Sequence, residues 1–113
     1  MNQFESESES QAVIAFSTVD SEKEATRMAR AFVEARLAAC VNIIPKITSV
    51  YEWKKKVCEE AEVLLIIKTQ KNRMEELKAL LSELHPYEVP ELIVFPVIDG
   101  LPDYLNWLFE NSR

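Results

Sequence analysis

One short segment, residues 85–91, contains most of the side chains in this chain that could do chemistry. It holds the chain's only histidine, His85, together with Tyr87, Glu88 and Glu91. Two prolines in the segment fix the backbone and restrict the residue before each of them, so these groups project from a stiff loop. Imidazole is a ligand for copper and zinc, which makes His85 a candidate metal ligand. The competing interpretation is a helix stop with a well-packed tyrosine.

A single histidine is a weak metal site unless other ligands stand beside it. Glu59, Glu60, Glu88 and Glu91 offer carboxylates, but the sequence alone does not place them near His85. Alternatively, His85 caps the last carbonyl groups of the helix that precedes it. We therefore take His85 as the metal-ligand candidate and leave its partners open.

The remaining reactive residues give little support for catalysis. Cys40 lies among small apolar residues and is expected in the core, whereas Cys58 lies in a charged hairpin. Their spacing suggests neither a zinc site nor a disulfide framework. Gly100 is the only glycine, which argues strongly against the glycine-rich loops of Rossmann and P-loop enzymes. We expect a protein that is not an enzyme and requires no cofactor, with Cu²⁺ or another divalent ion as its candidate ligand.

Charge and hydropathy exclude other classes of partner. The net charge is −6, and the lysines and arginines are dispersed apart from three consecutive lysines at 54–56. No basic face predicts nucleic-acid binding, and no apolar run is long enough for a membrane span. Residues 1–10 alternate serine and glutamate and lack the features of a signal peptide, so they predict a disordered acidic tail before a single domain at 11–113. A cytoplasmic location follows as the expectation.

The apolar periodicity predicts six elements and a closing helix. Ser21 and Glu24 form a capping box for a first helix, and Asn72 with Glu75 would cap a second one. A long strand is interrupted by Pro45, which indicates a bulge or an edge position. The predicted elements are strands at 11–17, 39–53, 63–67 and 92–97, helices from 21 and 72, and a last helix that begins at 102. This order predicts an α+β fold, a ferredoxin-like βαββαβ sandwich with an extra C-terminal helix.

The strand patterns also predict association between copies of the chain. Residues 63–67 and 92–95 are apolar on both faces, whereas two helices cover only one face of such a sheet. The uncovered apolar area would exceed what monomers usually expose. Four aromatic residues are the expected anchors of an interface: Tyr51, Trp53, Tyr104 and Trp107.

Five ordered motifs resemble the CutA family of divalent-cation tolerance proteins. They are residues 37–45, 49–53, 68–69, 85–92 and 103–107, within a resemblance that covers about residues 12–112. The resemblance implies a ferredoxin-like subunit in a homotrimer similar to PII signalling proteins. It also implies a cytoplasmic role in tolerance of copper and other divalent ions, with no established catalytic reaction.

The chain departs from the family at the positions associated with metal binding. A cysteine at the end of the first strand is replaced by Ser17, and Leu84 stands where a second histidine precedes the Pro-Tyr pair. We therefore expect a weaker site built from His85 and carboxylates. The second hypothesis is a PII-like sensor that binds a small molecule in clefts between subunits, with Lys68, Tyr87, Glu88 and Glu91 as candidate residues.

Overall fold

The structure is a computed structural model that describes residues 10–113. The predicted acidic tail at 1–10 lies outside the described residues except for Ser10, so it stays a prediction. In chain order the elements are β1 (Ala12–Val19), α1 (Glu22–Glu34), β2 (Cys40–Trp53), β3 (Lys56–Gln70), a 3-10 turn (Lys71–Arg73), α2 (Met74–Leu84), β4 (Ile93–Pro96) and α3 (Pro102–Glu110).

The four strands form one antiparallel sheet in the order β2-β3-β1-β4. β1 pairs with both β3 and β4, and β3 pairs with β2 on its other side. This is the ferredoxin-like α+β architecture that the sequence predicts, with α3 as the additional C-terminal helix. β2 and β4 are the edges of the sheet.

Helices α1 and α2 cover one face of the sheet, which we call the covered face. Ala15 on β1 and Leu65 and Ile67 on β3 are fully buried there against Phe32 of α1 and Leu77 of α2. Strand residues alternate between faces, so every second residue of β1 and β3 enters this core. The predicted stripe of α1 holds with one exception: Val33 is 42% exposed, because it falls beside rather than on the buried side of the helix.

The two helix starts differ in how well the sequence predicts them. The Ser21 hydroxyl accepts a hydrogen bond from the backbone N–H of Glu24 at 3.2 Å, as expected of an N-cap. The predicted cap at Asn72 is wrong. The chain turns into the 3-10 helix at Lys71, directly after β3, so Asn72 already lies inside the helical segment. α2 then starts at Met74 without a side-chain cap.

β2 and β3 extend beyond the rest of the sheet as a hairpin arm. Lys54 and Lys55 form its two-residue turn with positive φ angles of 50° and 67°, the left-handed pair that matches the twist of a hairpin. The register of β2 on β3 shifts between Ile44 and Ile47. This bulge surrounds Pro45, whose missing N–H is tolerated at a sheet edge, as the sequence predicts.

The second face of the sheet, which we call the open face, is covered only at one end by residues 10–113. α3 begins with Pro102 in its first turn, and its Leu108 packs against Ala12 and Ala39. Further along the sheet, Ile93 and Phe95 remain 54% and 38% exposed. Apolar side chains of the open face therefore reach solvent in the single chain.

Candidate functional site

A cavity of about 680 Å³ lies between one side of the hairpin arm and the loop that follows α2. Its volume is in the range of small-molecule sites. It brings together residues from β1, β2, β3 and the loop: Thr18, Ser49, Val50, Tyr51, Trp53, Glu60, Glu62, Tyr87, Glu88, Val89 and Glu91. We call it the acidic cleft.

The pairing of β2 with β3 positions one wall of the acidic cleft. Ser49 lies opposite Glu60, and Ile47 lies opposite Glu62. Residues directly opposite in an antiparallel pair share a face, and alternation adds Tyr51 to the same side. The arm therefore presents aromatic and acidic groups together along one side.

His85 holds the loop that forms the other wall. Its backbone N–H donates to the Leu81 carbonyl at 2.8 Å, which closes α2. Its ring Nε2 lies 2.8 Å from the Thr18 carbonyl oxygen, and its Nδ1 accepts the Tyr87 N–H at 3.1 Å. A carbonyl oxygen only accepts, so Nε2 carries the proton.

This geometry bears on the two interpretations of His85, as a metal ligand and as a cap of the preceding helix. The imidazole does not bond the last carbonyls of α2; the backbone N–H of His85 completes the helix instead. His85 is 7% exposed, and both ring nitrogens are occupied by bonds to Thr18 and Tyr87. Metal ligation by His85 therefore requires one of these two bonds to open. It stays a prediction.

The phenol of Tyr87 crosses the acidic cleft to a buried carboxylate. Its hydroxyl donates to Glu62 Oε2 at 2.5 Å, and Glu62 is only 7% exposed. Desolvation, followed by the hydrogen bond and charge of Glu62, raises the pKa of Tyr87 far above its ordinary value. The sequence prediction missed Glu62. The signal was a charged residue directly before the apolar run of β3, where a solvated glutamate is the ordinary interpretation.

The structure brings together most of the remaining candidates but not all of them. Glu60, Glu88 and Glu91 line the acidic cleft, whereas Glu59 and Lys68 are not among its lining residues. Lys68 lies on the open face, with Nζ 5.9 Å from the centre of the Tyr104 ring. It is a neighbour of α3 and not of Tyr87.

Two family positions bear on metal binding. Ser17 is fully buried and points to the same face of the sheet as Ala15, the covered face. Its hydroxyl has no hydrogen-bond partner within residues 10–113. Leu84 packs against the core. Within the same residues, no three His, Cys, Asp or Glu side chains lie close enough to hold a metal ion.

The predicted interface anchors are outside the core of this chain. Their exposed fractions run from 39% to 44%, and the rings of Tyr104 and Trp107 are 5.5 Å apart. Cys40 and Cys58 are both free thiols and half-buried, so the expected core position of Cys40 is only partly realised. Large aromatic groups at the surface are typical of association sites.

The CutA1 divalent ion tolerance family matches residues 13–111, nearly the whole described chain. This chain belongs to that family. Protein CutA of Mus musculus is 53% identical over 96 residues, which are 85% of this chain and 54% of the mouse protein. The divalent-cation tolerance protein CutA of Thermus thermophilus is 48% identical over 95 residues, which are 84% of this chain and 92% of that protein.

Solved structures agree with this assignment to the CutA1 family. The Thermus thermophilus CutA1 structure superimposes with a TM-score of 0.88 at 45% identity, over 90% of this chain and 99% of that one. The chain spans only about half the length of its mammalian relatives. One plant relative, from Arabidopsis thaliana, is named as chloroplastic. No helix within the described residues is long and apolar enough to cross a membrane.

Proposed function

We propose that this CutA1-family chain acts as a homotrimer in divalent-cation tolerance and binds a divalent metal ion, copper first among the candidates, at the acidic cleft, without catalysing a reaction. The observation that carries this proposal is the lining of the cleft. It contains four carboxylates, and no lysine or arginine of the described chain is among its lining residues. Oxygen ligands suit hard divalent cations, and the nearby imidazole suits copper.

A second copy of the chain is part of this proposal because one chain does not supply a closed ligand set. The carboxylates of Glu60, Glu62, Glu88 and Glu91 surround a cavity but do not converge on one point. The exposed apolar residues Ile93 and Phe95 support association through the open face. Sedimentation velocity at micromolar concentration tests this: a trimer is expected, and a stable monomer would contradict it.

The cytoplasm is the proposed compartment. Cys40 and Cys58 are free thiols, which fits a reducing environment. Fractionation of cells that make the full chain tests this location. Recovery with an organelle or periplasmic marker would contradict it.

Calorimetric titration with Cu²⁺ and with Zn²⁺ tests metal binding. Wild type is expected to bind saturably, and Glu91→Gln is expected to lose roughly tenfold in affinity because an exposed carboxylate ligand becomes neutral. His85→Ala tests whether the imidazole contributes after its bond to Thr18 or Tyr87 opens. Glu83→Gln makes the same charge change on an exposed part of α2, outside the cleft, and should leave the affinity unchanged.

Two results would contradict direct metal binding at this cleft. The first is no saturable heat with either ion. The second is an equal loss of affinity in Glu91→Gln and Glu83→Gln, because that result reflects net charge alone. An unchanged affinity in His85→Ala would remove His85 from the ligand set and leave the carboxylates as the site.

A second candidate function is a PII-like sensor of a small molecule, and a specific observation favours it. The cavity is far larger than a hydrated metal ion needs, and three aromatic side chains line it: Tyr51, Trp53 and Tyr87. Aromatic surface of this kind binds carbon-containing ligands. A titration with organic ligands separates this function from metal binding.

A further inference from the structure

We propose that the acidic cleft binds a small organic amine in its protonated, ammonium form. This inference rests on the second function proposed above and names the chemical class of its ligand. It differs from metal binding in its probe, so the two fail separately. The argument combines the charge, the aromatic lining and the size of the cleft.

The charge of the cleft selects a cation. Glu60, Glu62, Glu88 and Glu91 line it, and within residues 10–113 none of the four forms an ion pair with a lysine or arginine. Glu62 is the most constrained of them, being 7% exposed and partnered only by the neutral phenol of Tyr87. Carboxylates in a concave, partly dry site attract a positive group and repel a phosphate or a carboxylate. The lining of the single chain therefore favours a cationic ligand over a nucleotide.

The aromatic lining selects an organic cation over a bare ion. Tyr51, Trp53 and Tyr87 are all among the residues that line the cavity. A cation is attracted to the face of an aromatic ring, most strongly to tryptophan, and the carbon body of an amine gains apolar contact on the same surface. A metal ion uses neither contribution.

The ring of Trp53 already has a cation near it in the single chain. Lys54 of the same arm lies with Nζ 5.8 Å from the centre of the Trp53 ring, within cation–π range. Lys54 itself is at the exposed turn of the arm and outside the cleft lining. The ammonium group of a bound ligand would lie near the aromatic rings of the cleft and also near its carboxylates, with which Lys54 forms no ion pair within residues 10–113.

Four carboxylates and three aromatic side chains line the cleft. The carboxylates determine which class of ammonium ion should bind most tightly. An ammonium group that retains N–H bonds donates hydrogen bonds to carboxylates, and bonds between charged groups are roughly twice as strong as neutral ones. A quaternary ammonium ion has no N–H and would rely on the rings alone. We therefore expect primary amines to bind more tightly than quaternary ones of similar size.

Fluorescence of Trp53 gives a direct readout. The protein has two tryptophans, and Trp107 lies on α3, outside the cleft lining, so Trp107→Phe leaves Trp53 as the sole reporter. The assembled protein is titrated with butylamine at neutral pH, and 1-butanol and butyrate serve as neutral and anionic probes with the same carbon body. Saturable quenching with a dissociation constant of about 1 mM or lower is expected for butylamine only.

Matched charge variants locate the binding. Replacing both Glu88 and Glu91, which are exposed, with glutamine is expected to weaken butylamine binding roughly three- to tenfold, since each exposed pair contributes up to about 1 kcal/mol. Glu62→Gln should weaken it more, and circular dichroism checks that this buried variant folds. Glu83→Gln, outside the cleft, is the control and should change the affinity less than about twofold.

Four results would overturn the proposal. They are equal binding of butylamine and 1-butanol, no saturable change up to about 10 mM amine, equal effects of the cleft variants and Glu83→Gln, and binding that appears only when Lys54 and Lys55 are replaced with glutamine. The last result would assign the cleft to lysine side chains of a second copy. Metal binding that persists while amine binding fails would leave the metal proposal intact.

Discussion

The covered face and the open face of the sheet carry apolar side chains of similar size from the same strands, but α1 and α2 pack on only one of them. Leu65 and Ile67 are fully buried on the covered face, whereas their neighbour Ile66 on the open face is only partly buried. Phe16 and Phe95 meet edge to face on the open face, with ring centres 4.9 Å apart. Apolar content therefore does not by itself tell which face a chain buries within itself.

The acidic cleft lies at one end of the open face and follows from the same difference. Thr18 and Leu64 are opposite each other, and two residues further along β3 the apolar pattern gives way to Glu62 and Glu60. No helix of residues 10–113 crosses this part of the sheet, so its polar groups border an open cavity in the single chain. The covered face forms the hydrophobic core, and the open face carries the polar and acidic side chains that could bind a ligand.

The largest expected effect is a difference in stability between core mutations on the two faces of the sheet. Leu65→Ala leaves a cavity in the covered face and should lower the free energy of unfolding by roughly 2–5 kcal/mol. Ile66→Ala removes a partly solvated side chain and should cost clearly less in a separated chain. Urea denaturation at several protein concentrations measures both.

The proposed homotrimer predicts how the stability loss of Ile66→Ala depends on protein concentration. If a second copy covers the open face, the cost of Ile66→Ala depends on protein concentration, because folding and association are linked. A cost that equals that of Leu65→Ala and does not vary with concentration would remove the distinction between the faces.

A smaller effect is expected in the cleft, at Tyr87. Tyr87→Phe removes the hydroxyl that bonds Glu62 and leaves a buried carboxylate unpaired, so the free energy of unfolding should fall by about 1–3 kcal/mol. Tyr104→Phe is the matched control, since Tyr104 is exposed and its ring contact with Lys68 survives; a change within about 0.5 kcal/mol is expected there. Similar losses in both variants would contradict the role assigned to the bond.

The same phenol predicts a dependence of stability on alkaline pH. The pKa of Tyr87 is higher in the folded chain than in the unfolded chain, so its contribution is fully present below the unfolded pKa of about 10. It is lost as the pH rises from there toward the folded pKa, because the unfolded state releases the proton first. Ultraviolet titration of phenolate should show Tyr87 ionising only as the protein unfolds, whereas Tyr87→Phe should lose this coupling.

The sequence predicts the fold well because local patterns determine it. Alternation in the strands, the helical stripes and the Ser21 cap each act over a few residues and agree with one another. The bulge near Pro45 follows in the same way from a missing N–H. The predicted cap at Asn72 fails because β3 runs to Gln70 and the helical turn begins at the next residue.

The site is less predictable because its contacts join distant parts of the chain. Tyr87 bonds Glu62 across 25 positions, and His85 bonds Thr18 across 67. Within the single chain Glu88 and Glu91 line the cleft and Lys68 lies beside Tyr104, and the cleft between subunits for which they are candidates stays a prediction. Residue type identifies the side chains that could bind a ligand or a metal ion. Only the packing of the sheet determines which of these side chains lie close together.

The smallest expected effect compares two buried hydroxyls of the covered face. Thr69 Oγ1 donates to the Leu37 carbonyl at 2.7 Å, whereas Ser17 Oγ has no partner within residues 10–113. An unsatisfied buried hydroxyl costs free energy, and a satisfied one contributes about 1 kcal/mol. Ser17→Ala should therefore leave the free energy of unfolding unchanged or raise it by up to about 1 kcal/mol, and Thr69→Val should lower it by about 1 kcal/mol. Thermal or urea unfolding of the two variants measures this difference in sign. Destabilisation by Ser17→Ala would mean that the serine hydroxyl bonds a group the single chain does not show, which would reopen Ser17 as a functional position.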